Sequence, residues 1–221
     1  MAAMNILRNK YGKVEPLWHV QAAMFVAIAL QLLLPDRYLL SSRYIVPLIE
    51  AVLLLALAVT TPKERIFKSL SRRINVIMLI VLTGLANGYS LFIVTQKLLQ
   101  SNVSNGRDLI LSAVNIYLTN LIIFALLYWE MDGGGPGERL AAPKHEHDFL
   151  FPQDQNESYK HPEWRPSFVD YLYVSSTNAM AFSPTDTMPL SRRAKLLMLL
   201  QATISLVAIG LVAARAINIL H

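Results

Sequence analysis

Apolar residues along this chain gather into five long runs and one run of half that length, separated by polar and basic punctuation. A helix rising 1.5 Å per residue needs about 20 mostly apolar residues to cross a bilayer. The first run covers Leu17 to Leu34 and stops at Pro35-Asp36. The second, Tyr44 to Thr60, stops at Thr61-Pro62, where proline cannot continue a helix. Ile74 to Leu98 and Leu109 to Trp129 are ample for a span, and Ala194 to Leu220 closes the chain. Before this last run, Phe168 to Phe182 is about half a span long and leads into Ser183-Pro184-Thr185-Asp186. The pattern predicts an all-α membrane protein: five transmembrane helices plus one re-entrant half-helix hairpin before the last helix. Irregular backbone at membrane depth survives where it is buried in protein or lines a wet cavity. The hairpin therefore predicts a polar pathway.

Four regions follow. Residues 1–16 form an N-terminal tail and 17–130 a four-helix transmembrane region. Residues 131–166 form a hydrophilic loop, and 167–221 a pore-like module of hairpin and final helix. The loop opens with Gly133-Gly134-Gly135-Pro136-Gly137, and such clusters without hydrophobic periodicity predict a flexible connection. It is too polar to build a second domain. No internal repeat divides the chain into inverted halves.

Composition strengthens the membrane reading. Of 221 residues 54% are hydrophobic and 16% charged, against about 25% charged in ordinary soluble domains. Cysteine is absent, which excludes disulfides and thiolate metal sites. The net charge of +5 resides at the ends of apolar runs, which suits lipid head groups rather than nucleic acid. Arg8, Lys10 and Lys13 precede the first run, and Lys63, Arg65, Lys68, Arg72 and Arg73 separate the second from the third. The alternate connections carry only Arg37 and Arg43, then Lys97 and Arg107. The positive-inside rule places the tail and the 61–73 loop in the cytoplasm. A re-entrant hairpin keeps Arg192, Arg193 and Lys195 there too. The first run is too long for a cleavable signal and lacks a small-residue cleavage site.

Several polar residues stand out inside apolar sequence. Glu50 is an ionisable group within the second span, a functional hypothesis by default. It suits a proton or cation relay, pairing with His19 or Asn120, or a wet position close to the interface. Arg215 interrupts the final run and either snorkels to head groups or pairs with Glu50. Gly84 and Gly88 form G-x-x-x-G around Asn87, a spacing that lets helices approach closely, while Asn115, Thr119 and Asn120 supply polar contacts in the fourth run. Thr177 and Asn178, late in the half-helix, suit a wet pore or hydrogen bonds to a neighbouring helix. Asp186 at the hairpin tip suits a carboxylate ring in an oligomer or a turn and cap role. His145-Glu146-His147-Asp148 lies in a polar loop without a scaffold, which predicts solvated side chains and no metal. No nucleophile–base pairing, paired carboxylates or phosphate-cradling loop points to an enzyme.

The last quarter resembles an uncharacterised bacterial inner-membrane family of domain-of-unknown-function type. The resemblance rests on Asp170-Tyr171-Leu172-Tyr173, Ser183-Pro184-Thr185-Asp186, Ser191-Arg192-Arg193 and the alanine-rich stretch from Ala213 to Asn218. It implies a multi-pass protein of the bacterial inner (plasma) membrane. A remoter resemblance is to the pore helix, filter and inner helix of potassium channels, carried by Tyr173-Val174-Ser175-Ser176-Thr177 and the Asp-x-x-Pro spacing of Asp186 to Pro189. Ser183 and Thr185 stand where that filter has glycines, with Pro184 between them. Carbonyls turned toward a pore axis rely on glycine's positive φ, so potassium selectivity is not implied.

The expectation is an oligomeric, channel-like permeation protein, weakly cation selective, with Thr177, Asn178, Ser183, Thr185 and Asp186 along the ion path. A single hairpin cannot surround an ion, so a homo-oligomer is required, a tetramer by analogy. A small secondary transporter and a non-transporting scaffold or partner subunit are the alternatives. The implied partners are the lipid bilayer, further copies of the chain and an inorganic cation. Neither cofactor nor metal is expected.

Overall fold

The computed structural model describes residues 18–39, 44–60, 70–99, 106–141, 147–155, 164–181 and 186–220. Its long elements are helices α1 (Trp18–Leu32), α2 (Ile45–Thr60), α3 (Leu70–Leu99) and α4 (Gly106–Met131). A 3₁₀ turn (Asp132–Gly134), α5 (Pro136–Ala141), strand β1 (Phe149–Leu150) and α6 (Pro152–Gln155) come next. Helix α7 (Phe168–Ala181), strand β2 (Met188–Pro189) and α8 (Arg192–Leu220) complete the order. The fold is all-α apart from one two-residue ladder. Three stretches, Arg73–Leu99, Arg107–Gly134 and Arg192–Ala214, are long and apolar enough to cross a membrane. The apolar helices Trp18–Leu32 and Ile45–Leu55 are shorter.

Helix ends follow local chemistry. Beyond α1, Pro35 takes an extended conformation (φ −60°, ψ 141°) and opens a 3₁₀ turn at Asp36–Tyr38. Ser167 starts α7: its amide and its hydroxyl both donate to Asp170 Oδ2, at 2.7 and 2.8 Å, so the carboxylate three residues on reaches back to the helix start. Ser191 starts α8, its Oγ accepting the amide of Ala194 at 3.1 Å. The cap of the last helix is therefore Ser191, and the capping alternative for Asp186 is corrected.

α4 is the central element, packed against α8, α7, α3 and α1, while α2 rests on α3 and α1. Two apolar cores lie at opposite ends of the bundle. One gathers Val20, Val76, Leu126, Trp129, Phe149, Phe168, Tyr171 and Ala194; the other gathers Leu34, Tyr38, Val94, Leu109, Ile116 and Leu211. Successive long helices thus run in alternating directions. Arg37 closes the second end by pairing with Asp108 at 2.7 Å.

Residues 131–166 depart from the expected flexible loop. Among the described residues they fold into a cap over the end of α4. β1 pairs with β2 antiparallel, Phe149 opposite Pro189 and Leu150 opposite Met188. Phe151 meets the rings of Trp164 and Tyr171 edge-on. The glycines give a sharp reversal rather than slack: Gly133, Gly134 and Gly135 have φ of 54°, 82° and 101°. Glycine adopts these angles without the penalty a Cβ brings.

The G-x-x-x-G reading needs a second correction. A Cβ on Gly84 would meet Ile123 Cγ2 at an ordinary 3.7 Å, while one on Gly88 would meet nothing within 4 Å among the described residues. Gly88 lies on the exposed side, so the pair makes no close helix approach among the described residues. Accordingly, Gly88→Ala leaves detergent thermal stability unchanged. Gly135→Ala, which combines positive φ with a Cβ placed 3.0 Å from the Glu130 carbonyl, costs about 1–3 kcal/mol and lowers Tm in the same assay.

Candidate functional site

Helix α7 is held by two polar clusters. The first centres on Asp132, fully buried just beyond α4. Its Oδ1 accepts the amides of Asp148 at 2.6 Å and Phe149 at 3.2 Å, and its Oδ2 accepts the Tyr171 hydroxyl at 2.5 Å. A buried carboxylate is costly unless its lone pairs are filled, and these donors fill them. Arg139 donates to the carbonyls of Trp129 and Asp132 at 2.7 and 2.6 Å, and its guanidinium lies 5.2 Å from the centre of the Tyr171 ring. Arg165 reaches the Arg139 carbonyl at 3.2 Å, and Arg193 stands 3.4 Å from Asp148. One carboxylate thereby joins the end of α4, the cap strand and α7.

His147 borders this cluster, with Nδ1 3.8 Å from Asp132 Oδ2. The Asp132 carboxylate favours the imidazolium and raises the His147 pKa above its ordinary value, partial burial opposing it. His145 and Glu146 lie outside the described residues, among which no group of three or more potential ligands could hold a metal ion.

The second cluster fixes the middle of α7. Gln201 of α8 accepts at Oε1 from Tyr128, at 2.6 Å, and from Asn178, at 2.9 Å. Its Nε2 donates to the Ser175 carbonyl at 2.9 Å and the Ser175 hydroxyl oxygen at 2.6 Å. Ser175 donates in turn to the Leu121 carbonyl at 2.7 Å, and Asn178 also donates to that of Met198 at 2.9 Å. Nearby, Asn120 donates to Ser205 at 3.0 Å. These groups are buried and satisfy one another across α4, α7 and α8.

The residues singled out from sequence divide accordingly. Asn178 is engaged inside the chain and lines no open path within it. Thr177 lies on the opposite, outward side of α7, its hydroxyl bonded back to the carbonyls of Tyr173 and Val174, both at 3.0 Å. Asp186 is exposed, and its carbonyl accepts from Gln155 at 3.4 Å. Ser183 and Thr185 lie outside the described residues, as does the side chain of Arg215. Glu50 is fully buried and its partner is Gln31, which donates to Oε1 at 3.1 Å. That corrects the pairing with His19 or Asn120; the amide of Asn120 goes to Ser205 instead. Asp132 was missed because it lies at the edge of an apolar run, and Tyr128 and Tyr171 because they read as ordinary core residues; Gln201, a polar amide well inside the final apolar run, was the legible signal. No protein-family model, curated protein or solved structure matches the chain.

Tyr171→Phe removes one donor from the buried Asp132 carboxylate and is expected to cost about 1–3 kcal/mol, read as a lower Tm in detergent. His147 gives a pH signature. Its folded pKa is raised, so its stabilising contribution is complete below about pH 6.5, the ordinary imidazole value. The contribution is lost as pH rises through the higher folded value. Tm measured across that window falls in the wild type, and His147→Asn flattens the fall.

Proposed function

We propose that the chain is a multi-pass membrane protein with five spans and a re-entrant half-helix, forming a channel-like, weakly cation-selective permeation path as a homo-oligomer. The carrying observation is that α7 leaves and returns to the same cap. Before it, Trp164 packs on Phe151 and Arg165 bonds to Arg139. After it, β2 pairs with β1, and the Leu190 amide donates to the Asp148 carbonyl at 2.8 Å. At 14 residues α7 is about 21 Å long, short of the roughly 30 Å hydrocarbon thickness.

Charge supports a cytoplasmic cap. Arg73, Arg139, Arg165, Arg192, Arg193 and Lys195 belong to the cap end, and Arg37, Lys97 and Arg107 to the other. Val169, Tyr173 and Met180 form an exposed stripe on α7 with Thr177 within it. Homo-oligomerisation would bring these stripes and the Asp186 carboxylates toward a shared axis. The satisfied hydrogen bonds of Ser175 and Asn178 favour a second reading, a small transporter or partner subunit in which α7 is structural.

Reconstituted protein should conduct cations and run in detergent as a complex of several copies. Asp186→Asn should lower single-channel conductance most at low ionic strength, where attraction by a carboxylate ring is least screened. A monomer without conductance under any gradient would favour the second reading.

A further inference from the structure

Glu50 stands apart from the half-helix and its clusters. It is 0% exposed, in the middle of α2, which carries no other charged residue. Oε1 accepts from Gln31 Nε2 at 3.1 Å, whereas Oε2 is buried without a hydrogen-bond partner. The Thr83 side chain also stands beside the carboxyl, but its hydroxyl proton is directed to the Leu79 carbonyl, 2.9 Å away. Gln31 and Thr83 are themselves buried, at 6% and 4% exposure.

The donor arithmetic decides which form fits. An ionised carboxylate accepts at both oxygens and donates nothing. Here the surroundings offer one amide donor and, at Thr83, a hydroxyl oxygen whose proton is already engaged. A neutral carboxyl fits this set: Gln31 donates to Oε1, a proton on Oε2 supplies the hydrogen that no described neighbour brings, and Thr83 keeps its own bond to Leu79. No counter-cation takes the proton's place among the described side chains. On the helices packed against α2, the titratable groups are His19 of α1 and Arg72, Arg73, Tyr89 and Lys97 of α3. At 1.5 Å per residue they lie about 9 to 21 Å along the axis from Gln31 or Thr83. Nor is there a cage for a hard metal cation, which takes six or more oxygens. The small void beside Thr83, about 10 Å³ and otherwise apolar, is at the lower limit for holding one water.

We propose that Glu50 is an intramembrane proton-binding site, holding its proton as the neutral acid at neutral pH between Gln31 and Thr83. The site goes beyond the permeation reading, since it shares no residue with the half-helix. An apolar groove of about 770 Å³ between α1 and α2, lined by Phe25, Leu32, Tyr44, Pro47, Ala51 and Leu55, passes the turn that carries Glu50.

The test is infrared difference spectroscopy of the full-length protein in lipid at neutral pH, wild type minus Glu50→Gln. Glutamine has nearly the shape of the neutral acid and preserves its hydrogen-bond directions, so the variant should fold. The expected result is a protonated-carboxyl C=O band, shifted in D₂O and absent from the variant. Carboxylate bands in its place overturn the proposal, showing an ionised Glu50 paired with a cation such as sodium or Arg215. Should Glu50→Gln fail to accumulate, labelling the wild type with dicyclohexylcarbodiimide, which activates protonated carboxyls, replaces it. Peptide mapping should then find the adduct on Glu50. An adduct suppressed by sodium, or none on Glu50 while the denatured protein labels there, counts against a bound proton.

Discussion

The buried carboxylate of Asp132 is the constraint around which one end of this protein is arranged. Standing at the end of α4, it binds through its two oxygens two elements that sequence separates widely from it, the strand at Asp148 and Phe149 and Tyr171 of α7. An ionised group in such a place is tolerated when its acceptor sites are filled, and removing one partner exposes the full desolvation cost of the other. The geometry therefore couples the three elements. The positive-φ glycines let the chain turn back at once, so that Asp148 can supply its amide. Polar contacts of this kind carry particular weight in a bundle surrounded by lipid, where apolar side chains gain little by leaving one apolar medium for another.

Much of this architecture was legible in the sequence. Hydrophobic run length located five apolar helices and α7 to within a few residues, three of the five being long enough to cross a membrane. The Ser-x-x-Asp at Ser167–Asp170 is itself a helix-start signal. The cap was illegible for a physical reason: its cohesion comes from one carboxylate binding amides 16 and 17 residues away. Its aromatic residues, Phe149, Phe151 and Trp164, follow no period, so the stretch resembles an unstructured connection. The glycine pair misled for another reason. Spacing places Gly84 and Gly88 on one helical face but cannot tell whether that face meets a neighbour, and at Gly88 it meets none among the described residues.

Polar residues inside the bundle differ in what they leave open. Gln201 is saturated by Tyr128, Asn178 and Ser175, so its network specifies a position and offers nothing to a passing solute. Glu50 has one oxygen filled and one that needs a hydrogen of its own. Both residues are buried, and burial alone would not have separated them. The division follows from counting donors against acceptors.

The last helix shows what such counting means for assembly. Only 28% of its apolar membrane-length stretch is buried inside the chain, the least of the three. Leu196, Leu199, Leu200 and Leu206 face outward and are interchangeable to the surrounding hydrocarbon. A helix so smooth on its outer side has little to stop it sliding or turning about its axis. Gln201 and Ser205, one turn apart on its inner side, act as notches on a rod: one seats against Tyr128, Ser175 and Asn178, the other against Asn120, and together they fix both depth and rotation.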